Sequence, residues 1–467
     1  MSAVPRPPRI PRLLATLCAV ALLSVPAVAQ DDNAGGPSIL RDAETETFFR
    51  DLSKPLIIAA GLDPRNVQVI LINDPSINAF AAGGQNVFIH SGLLIAADNA
   101  NQLQGVIAHE LGHVAAGHLV RFNEGAGPAT NISIMSLVLA AAAVAVGAPT
   151  AGMALLSGGL TAAQGKFLAF SRDTESRADA AGAKYLSTAH ISGKGSIEFF
   201  NKLLGQEYRL AIKQDNEYDR THPLDGTRIA NLEAQYKADP AWNNPVDPAL
   251  QARFLRIKGK LIGYIEEPPR VLQRYPESDG SEPAHYARAY AYHRSAYPDA
   301  AQREVDKLLA LHPADPFYLE LKGQMLLENG GPAEAIPVLR KAVAADPNEP
   351  LIATLLGHAL ISTDNDKDFA EAEPILKKAI AQDRENPFAW YQLGVVYDRL
   401  HDEPRAALAQ AESFNLSGQV KSAAAKARYA RAGLPQGSRD WLRADDIAEA
   451  SCGELGNRKL YKKKDAC

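Results

Sequence analysis

Gly105-Val106-Ile107-Ala108-His109-Glu110-Leu111-Gly112-His113-Val114 places two histidines four residues apart, with a glutamate directly after the first. On an α-helix, positions i and i+4 lie one turn apart on the same face, so both imidazoles can grip a single zinc ion. Glu110 then points to the open side of the metal. There it can take a proton from water and pass it to a leaving amine. Val106, Ile107, Leu111 and Val114 supply apolar faces, and no proline interrupts residues 101–121, so the pattern predicts a helix. Two helical histidines kept only for packing are the bland alternative. A third ligand decides between the two.

A hydrolytic zinc site takes three protein ligands plus water. A third histidine six residues after His113 would suit one known pattern, but that position is Leu119, and His118 falls out of helical phase. A carboxylate from a later helix fits better. Ser171-Arg172-Asp173-Thr174-Glu175-Ser176-Arg177-Ala178-Asp179 offers Glu175 as the ligand, with Asp179 one turn on. Asp179 is placed to hold a zinc-ligating histidine through its other ring nitrogen. Alone, this pair would be a solvated helix face. Further on, Thr221-His222-Pro223 is a loop followed by Leu224-Asp225-Gly226-Thr227-Arg228-Ile229 and a new amphipathic helix. His222 can donate to the oxyanion of a tetrahedral intermediate or bind zinc as a fourth, inhibitory ligand. Arg228 can orient a nearby carboxylate.

HELGH, Ser-Arg-x-x-Glu-x-x-x-Asp and Thr-His-Pro-x-x-x-x-Arg-Ile together resemble the zinc metallopeptidases that include the CAAX prenyl protease and the heat-shock protease HtpX. The resemblance covers roughly residues 43–264 and extends in architecture to an exported branch carrying tetratricopeptide repeats. It implies zinc on His109, His113 and Glu175, with Glu110 as base. It also implies a regulatory His222 that caps the zinc at rest, which puts Glu110, Asp179 and His222 in the catalytic group with Arg228 in support. Arg177 departs from the family pattern, which often has an acidic or neutral residue there, and so bears on the local electrostatics.

The chain has 467 residues, 46% hydrophobic and 22% charged, which suits two or three folded domains. A net charge of −5 gives no reason to expect nucleic-acid binding. Arg6, Arg9 and Arg12, the apolar run Leu13 to Val25, and Ala27-Val28-Ala29 form a signal peptide over residues 1–29, cleaved before Gln30. The expected compartment is therefore the periplasm. Cys18 lies in that signal behind Leu17, which argues against lipidation. Cys452 and Cys467 then make a disulfide candidate near the C-terminus.

After a flexible lead-in over residues 31–38, a helix is expected over residues 43–60. Three strands then follow, over residues 67–72, 77–81 and 86–89, with Gly83-Gly84 as a turn. An extended substrate can add to the edge of such a sheet, and Asn78-Ala79-Phe80 is the candidate strand. Residues 125–165 carry no charge. They predict two packed helices that cover the active site or make a peripheral membrane contact, each too short to span a bilayer.

From residue 266 the composition shifts to a proline-rich linker and then to helical repeats. Gly323 and Gly357 are 34 residues apart, and so are Pro313 and Pro347, the period of a tetratricopeptide repeat. The predicted architecture is α+β and mainly helical. A gluzincin-type metallopeptidase domain with a small β-sheet spans residues 30–265, an all-α repeat solenoid spans 266–435, and a tail spans 436–467. The resemblance to the exported branch implies unfolded or stalled envelope proteins as substrates and outer-membrane assembly machinery as a partner through the repeats. Three readings stay open: an exported zinc endopeptidase, a chaperone or assembly adaptor whose site His222 keeps shut, and an integral membrane protease of the prenyl-protease type.

Overall fold

The structure is a computed structural model, and it describes residues 38–117, 172–210, 222 and 226–457. The signal peptide, the uncharged 125–165 run and Cys467 lie outside the described residues. Strands β1 (Ser38–Leu40), β2 (Val69–Asn73), β3 (Ala79–Ala82) and β4 (Asn86–His90) form one sheet in the order β1-β2-β4-β3. β2 runs parallel to β4, whereas β3 is antiparallel to it. Gly83 and Gly84 turn the β3–β4 hairpin at φ +57° and +91°, a backbone conformation that favours glycine. β1 falls at the edge of the stretch expected as lead-in. Its three residues are too few to show a two-residue alternation in sequence.

One face of the sheet lies against helix α1 (Ala43–Ala59) and helix α3 (Ala100–Ala116). Leu71, Ala79, Val87 and Ile89 share a core there with Phe48, Leu52, Leu103 and Ile107. Asn99 caps α3 by accepting from the Gln102 backbone N–H, and Gly117 ends it at φ +64°. α3 is buried from Ala100 through His113, so the histidine motif sits on the central helix of the core. The short helix α2 (Ser91–Ala96) leads into it, and α4 (residues 172–188), α5 (Lys194–Leu210) and α6 (Gly226–Lys237) follow.

Helix α7 (Pro248–Ile265) belongs to both halves of the chain. Phe254, Ile257 and Leu261 complete the peptidase core. Its other side meets α9 (Glu282–Arg294) so closely that a Cβ at Gly259 or Gly263 would lie 2.5 or 2.6 Å from the backbone oxygen of Pro283 or Ala287. The stretch expected as a linker is therefore not one. Residues Pro268–Arg274 form helix α8, with prolines where a helix needs no N–H, and Val271 is fully buried with Ile262, Ala287 and Ala291.

Paired helices continue from α9: α10 (Pro298–Leu311), α11 (Pro316–Glu328), α12 (Pro332–Ala345), α13 (Pro350–Ile361), α14 (Asp366–Gln382), α15 (Pro387–Arg399), α16 (Glu403–Leu416) and α17 (Val420–Gly433). Gly323 faces Leu339 and Gly357 faces Leu376 within one methyl's width, the same contact repeated along the solenoid. The stretch expected as a tail contains α18 (Arg439–Asn457). Its Ala444, Ile447 and Ala448 are buried with Leu408, Ala411 and Ala427, which is why the helix docks. Cys452 on α18 is disulfide-bonded.

The start of α1 is pinned to the repeats. Glu44 accepts from the Tyr286 hydroxyl at 2.6 Å and pairs with Arg256; Lys260 pairs with Asp42, and Arg41 with Asp383 at 2.8 Å. No helix among the described residues is long and apolar enough to cross a membrane.

Candidate metal centre and active site

His109 and His113 project from one face of α3, and their Nε2 atoms are 3.2 Å apart. α4 brings Glu175 to them: Oε2 lies 3.2 Å from His109 Nε2, and Oε1 lies 3.4 Å from His113 Nε2. His222 Nδ1 sits 3.2 Å from His109 Nε2 and 3.1 Å from Glu175 Oε2. All four residues are buried, and one donor atom from each falls within 4.8 Å of the others. Four ligands about 2.0–2.1 Å from a zinc ion form a tetrahedron with edges of about 3.3 Å. The separations given above, 3.1 to 3.4 Å, are close to those edges, so the donor set fits zinc.

Helix α4 can reach this close because small residues face α3. A Cβ on Gly112 would lie 2.7 Å from the Ala178 carbonyl oxygen, and one on Gly182 3.1 Å from the Ala108 backbone. Gly112→Ala is therefore expected to push α4 off α3. It should cost about 1–3 kcal/mol of stability and weaken zinc retention, read by thermal denaturation and by competition with a chromophoric chelator. An unchanged melting temperature together with unchanged retention would contradict this contact.

Asp179 lies one turn beyond Glu175, and its Oδ1 is 2.9 Å from His109 Nδ1. That contact leaves Nε2 free to face the metal. Arg228, in the first turn of α6, donates from Nε and Nη2 to Asp179 at 2.5 and 2.9 Å. It also reaches Glu175 Oε2 at 3.0 Å and the His222 carbonyl oxygen at 3.5 Å. One guanidinium thus ties together both carboxylates of α4 and the His222 loop.

Burial alone would raise the carboxylate pKa values, but their partners outweigh it. Bonds to Arg228 and His109 bring Asp179 down to about 2. His109 and His222 hold Glu175 well below the usual carboxylate range. Burial would lower the His109 pKa, yet Asp179 and Glu175 lift it to about 10. With a metal in place of the His109 proton, Glu110, Glu175 and Asp179 against Arg228 leave two negative charges in a buried site, a balance suited to a divalent cation.

Glu110 is fully buried. Neither of its side-chain oxygens has a hydrogen-bond partner among the described residues, and His222 Nε2 is 3.5 Å from Oε1. An orphaned buried carboxylate is costly, and persists where a site needs it. Arg177 points outward and pairs with Asp173 at 2.8 Å, both more than half exposed, so it leaves the site's electrostatics alone. Asn78 precedes β3, and its carbonyl accepts from His90 N–H at 3.0 Å; Ala79 and Phe80 lie in β3, the last strand of the sheet. Sequence reasoning missed Phe200 of α5, whose ring meets His109 edge-on at 6.3 Å and lies 6.0 Å from the Arg228 guanidinium. An aromatic on an amphipathic helix carries no signal of that kind. Gly112 could have been found, since a glycine inside a helix marks a close approach.

An HExxH helix with a glutamate on a later helix, both buried beneath a small sheet, defines a zinc metallopeptidase. Residues 43–236 match the model of Peptidase family M48, and this part of the chain is a zinc metalloendopeptidase domain. The whole chain is 29% identical over 418 residues to the beta-barrel assembly-enhancing protease of Yersinia pestis, covering 87% of this chain and 83% of that one. It is 27% identical over 421 residues to the protein of the same name from Escherichia coli (strain K12), covering 88% and 84%. Against the mitochondrial metalloendopeptidase OMA1 of Saccharomyces cerevisiae the identity is 31% over 191 residues, 40% of this chain and 51% of that one. The first two likenesses are long enough to run on into the repeats.

Proposed function

We propose that the protein is an exported periplasmic endopeptidase that cuts misfolded or stalled outer-membrane proteins, with its repeats binding substrate or a partner in barrel assembly. The observation that carries this reading is the buried Glu110 carboxylate, without a hydrogen-bond partner among the described residues, beside a four-donor cluster. When bound, zinc supplies a Lewis acid that polarises the scissile carbonyl and makes nearby water more acidic. His109, His113 and Glu175 hold the metal. Glu110 takes the proton of the attacking water and delivers it to the leaving amine. Asp179 fixes the His109 ring, and Arg228 fixes Asp179 and Glu175. The edge strand β3 holds an extended substrate through backbone hydrogen bonds, with Asn78, Ala79 and Phe80 nearest to it. A Cys452–Cys467 bond closes the C-terminus in the oxidising compartment.

A second reading, an assembly adaptor with a gated site, has its own observation. The His222 imidazole occupies the fourth corner of the donor set, 3.1 Å from Glu175 and 3.5 Å from Glu110, where water and substrate must enter. A site capped nine-tenths of the time loses about tenfold in rate. His222→Ala is therefore expected to cut an unfolded outer-membrane barrel protein about tenfold faster than the parent, with fragments followed by mass spectrometry. Equal rates would end the gating role. Absence of cleavage by both zinc-loaded proteins would end the peptidase reading.

A further inference from the structure

The two faces of β3 do different work. Ala79 is fully buried in the core that holds α3, while Phe80 points to the opposite face and is half-buried. Strand register sets Ile70, Phe88 and Phe80 in one row across β2, β4 and β3. All three are half-buried. The Phe80 and Phe88 rings stack with centroids 5.1 Å apart and 16° between planes, and the His90 ring meets Phe80 edge-on at 5.8 Å. The outer face of a sheet with one core side ordinarily carries polar residues. Core packing accounts for Ala79, Val87 and Ile89; it does not account for a stacked aromatic pair running out to the terminal strand.

We propose that Phe80 is a specificity-determining residue, selecting extended segments with an aromatic or branched apolar side chain at the position that pairs with it. The proposal rests on the peptidase reading above and names the kind of segment that site takes. A strand added to the edge of β3 sends alternate side chains to the two faces. Those on one face lie on the side of Ala79 and α3. The one opposite Phe80 places its Cβ about 4.5–5.5 Å away and extends the apolar row from three members to four. Aromatic and aromatic–β-branched cross-strand pairs are favourable where a serine gains nothing. Segments with an apolar or aromatic residue at every second position are what an unassembled β-barrel exposes, since its lipid-facing residues alternate with lumen-facing ones and aromatic girdles flank the band. The same edge disfavours polar loops, which lack the paired side chain.

The test uses the full mature chain loaded with zinc. Cleavage sites in an unfolded protein are mapped first. A tryptophan is then scanned through one peptide to find the pairing position, and two peptides differing only as Trp or Ser there are compared. The parent is expected to prefer Trp in kcat/KM by about fivefold. In Phe80→Ala that ratio should fall to about one. Phe80→Leu keeps an apolar side chain in the row and should fall at least twofold, which carries the test if the alanine variant does not fold. A general loss of folding or zinc would slow both peptides alike and leave the ratio where it was. A parent that cuts both peptides equally, or Phe80 variants that keep the parental ratio, would overturn the proposal and leave the peptidase reading standing. A parent that cuts neither peptides nor unfolded protein would remove the peptidase reading, and this inference with it.

Discussion

Glu110→Gln is expected to abolish peptide-bond cleavage while the protein keeps one zinc ion per chain. The two side chains have nearly the same shape, and Glu110 sits in the fully buried stretch of α3, so the helix and both histidines should stay in place. A carboxamide cannot accept and return a proton, and loss of a general acid–base group costs on the order of 10^2- to 10^4-fold. The upper end applies here, because the other carboxylates of the site among the described residues are engaged: Glu175 is held by His109, His113 and Arg228, and Asp179 by His109 and Arg228. Stability should hold or rise, because the exchange removes a buried charge that has no hydrogen-bond partner among the described residues. Turnover by steady-state peptide assay, zinc by atomic absorption and unfolding by calorimetry check the three parts. Cleavage within tenfold of the parent would remove Glu110 from the chemistry.

Arg228→Met should have the largest effect on stability of any change near the site. The guanidinium makes two bonds to Asp179 and one to Glu175, and all three groups are at least nine-tenths buried. Removing one member of a buried ion pair costs about 3–5 kcal/mol, because the remaining charge is left uncompensated. Here two carboxylates are left. The loss should be largest in zinc-free protein and smaller with zinc bound, since the cation then supplies part of the missing positive charge. Zinc affinity itself should fall about 10- to 100-fold as the His109 support loosens. Arg228→Lys keeps the charge but not the two-pronged geometry, so it should recover only part of each effect. Denaturant titrations with and without zinc read the difference. Equal stability of parent and Met variant in the zinc-free state would contradict the arrangement.

The centre of the fold was legible because its chemistry is local. His109, Glu110 and His113 share one helical turn, and so do Glu175 and Asp179, so spacing alone predicted which side chains share a face. The repeats were legible for a related reason: Gly323 and Gly357 recur because the same helix-to-helix contact recurs, against Leu339 and Leu376. What sequence did not yield were contacts between distant segments. Glu44 meets Arg256 and Tyr286 across more than 200 positions, and each looked like an ordinary surface charge or core aromatic. Pro268-Pro269 suggested a linker because proline breaks helices. The same residues open α8, and only the burial of Val271 distinguishes the two outcomes. The Arg443–Glu412 pair and the apolar stripe of α18 likewise acquire meaning only once a neighbouring helix is in place.

Helix α7 bears on how the molecule can be taken apart. One side of it finishes the catalytic half, and the other makes backbone contact with the first repeat helix at Gly259 and Gly263. There is no neutral place to cut. A fragment ending before Pro248 would leave Leu103, Ile107 and their neighbours wet, and one ending after Ile265 would bare a strip shaped for α9. A cargo pulling on the repeats would therefore load a continuous beam ending beside the metal, and not a tether with slack.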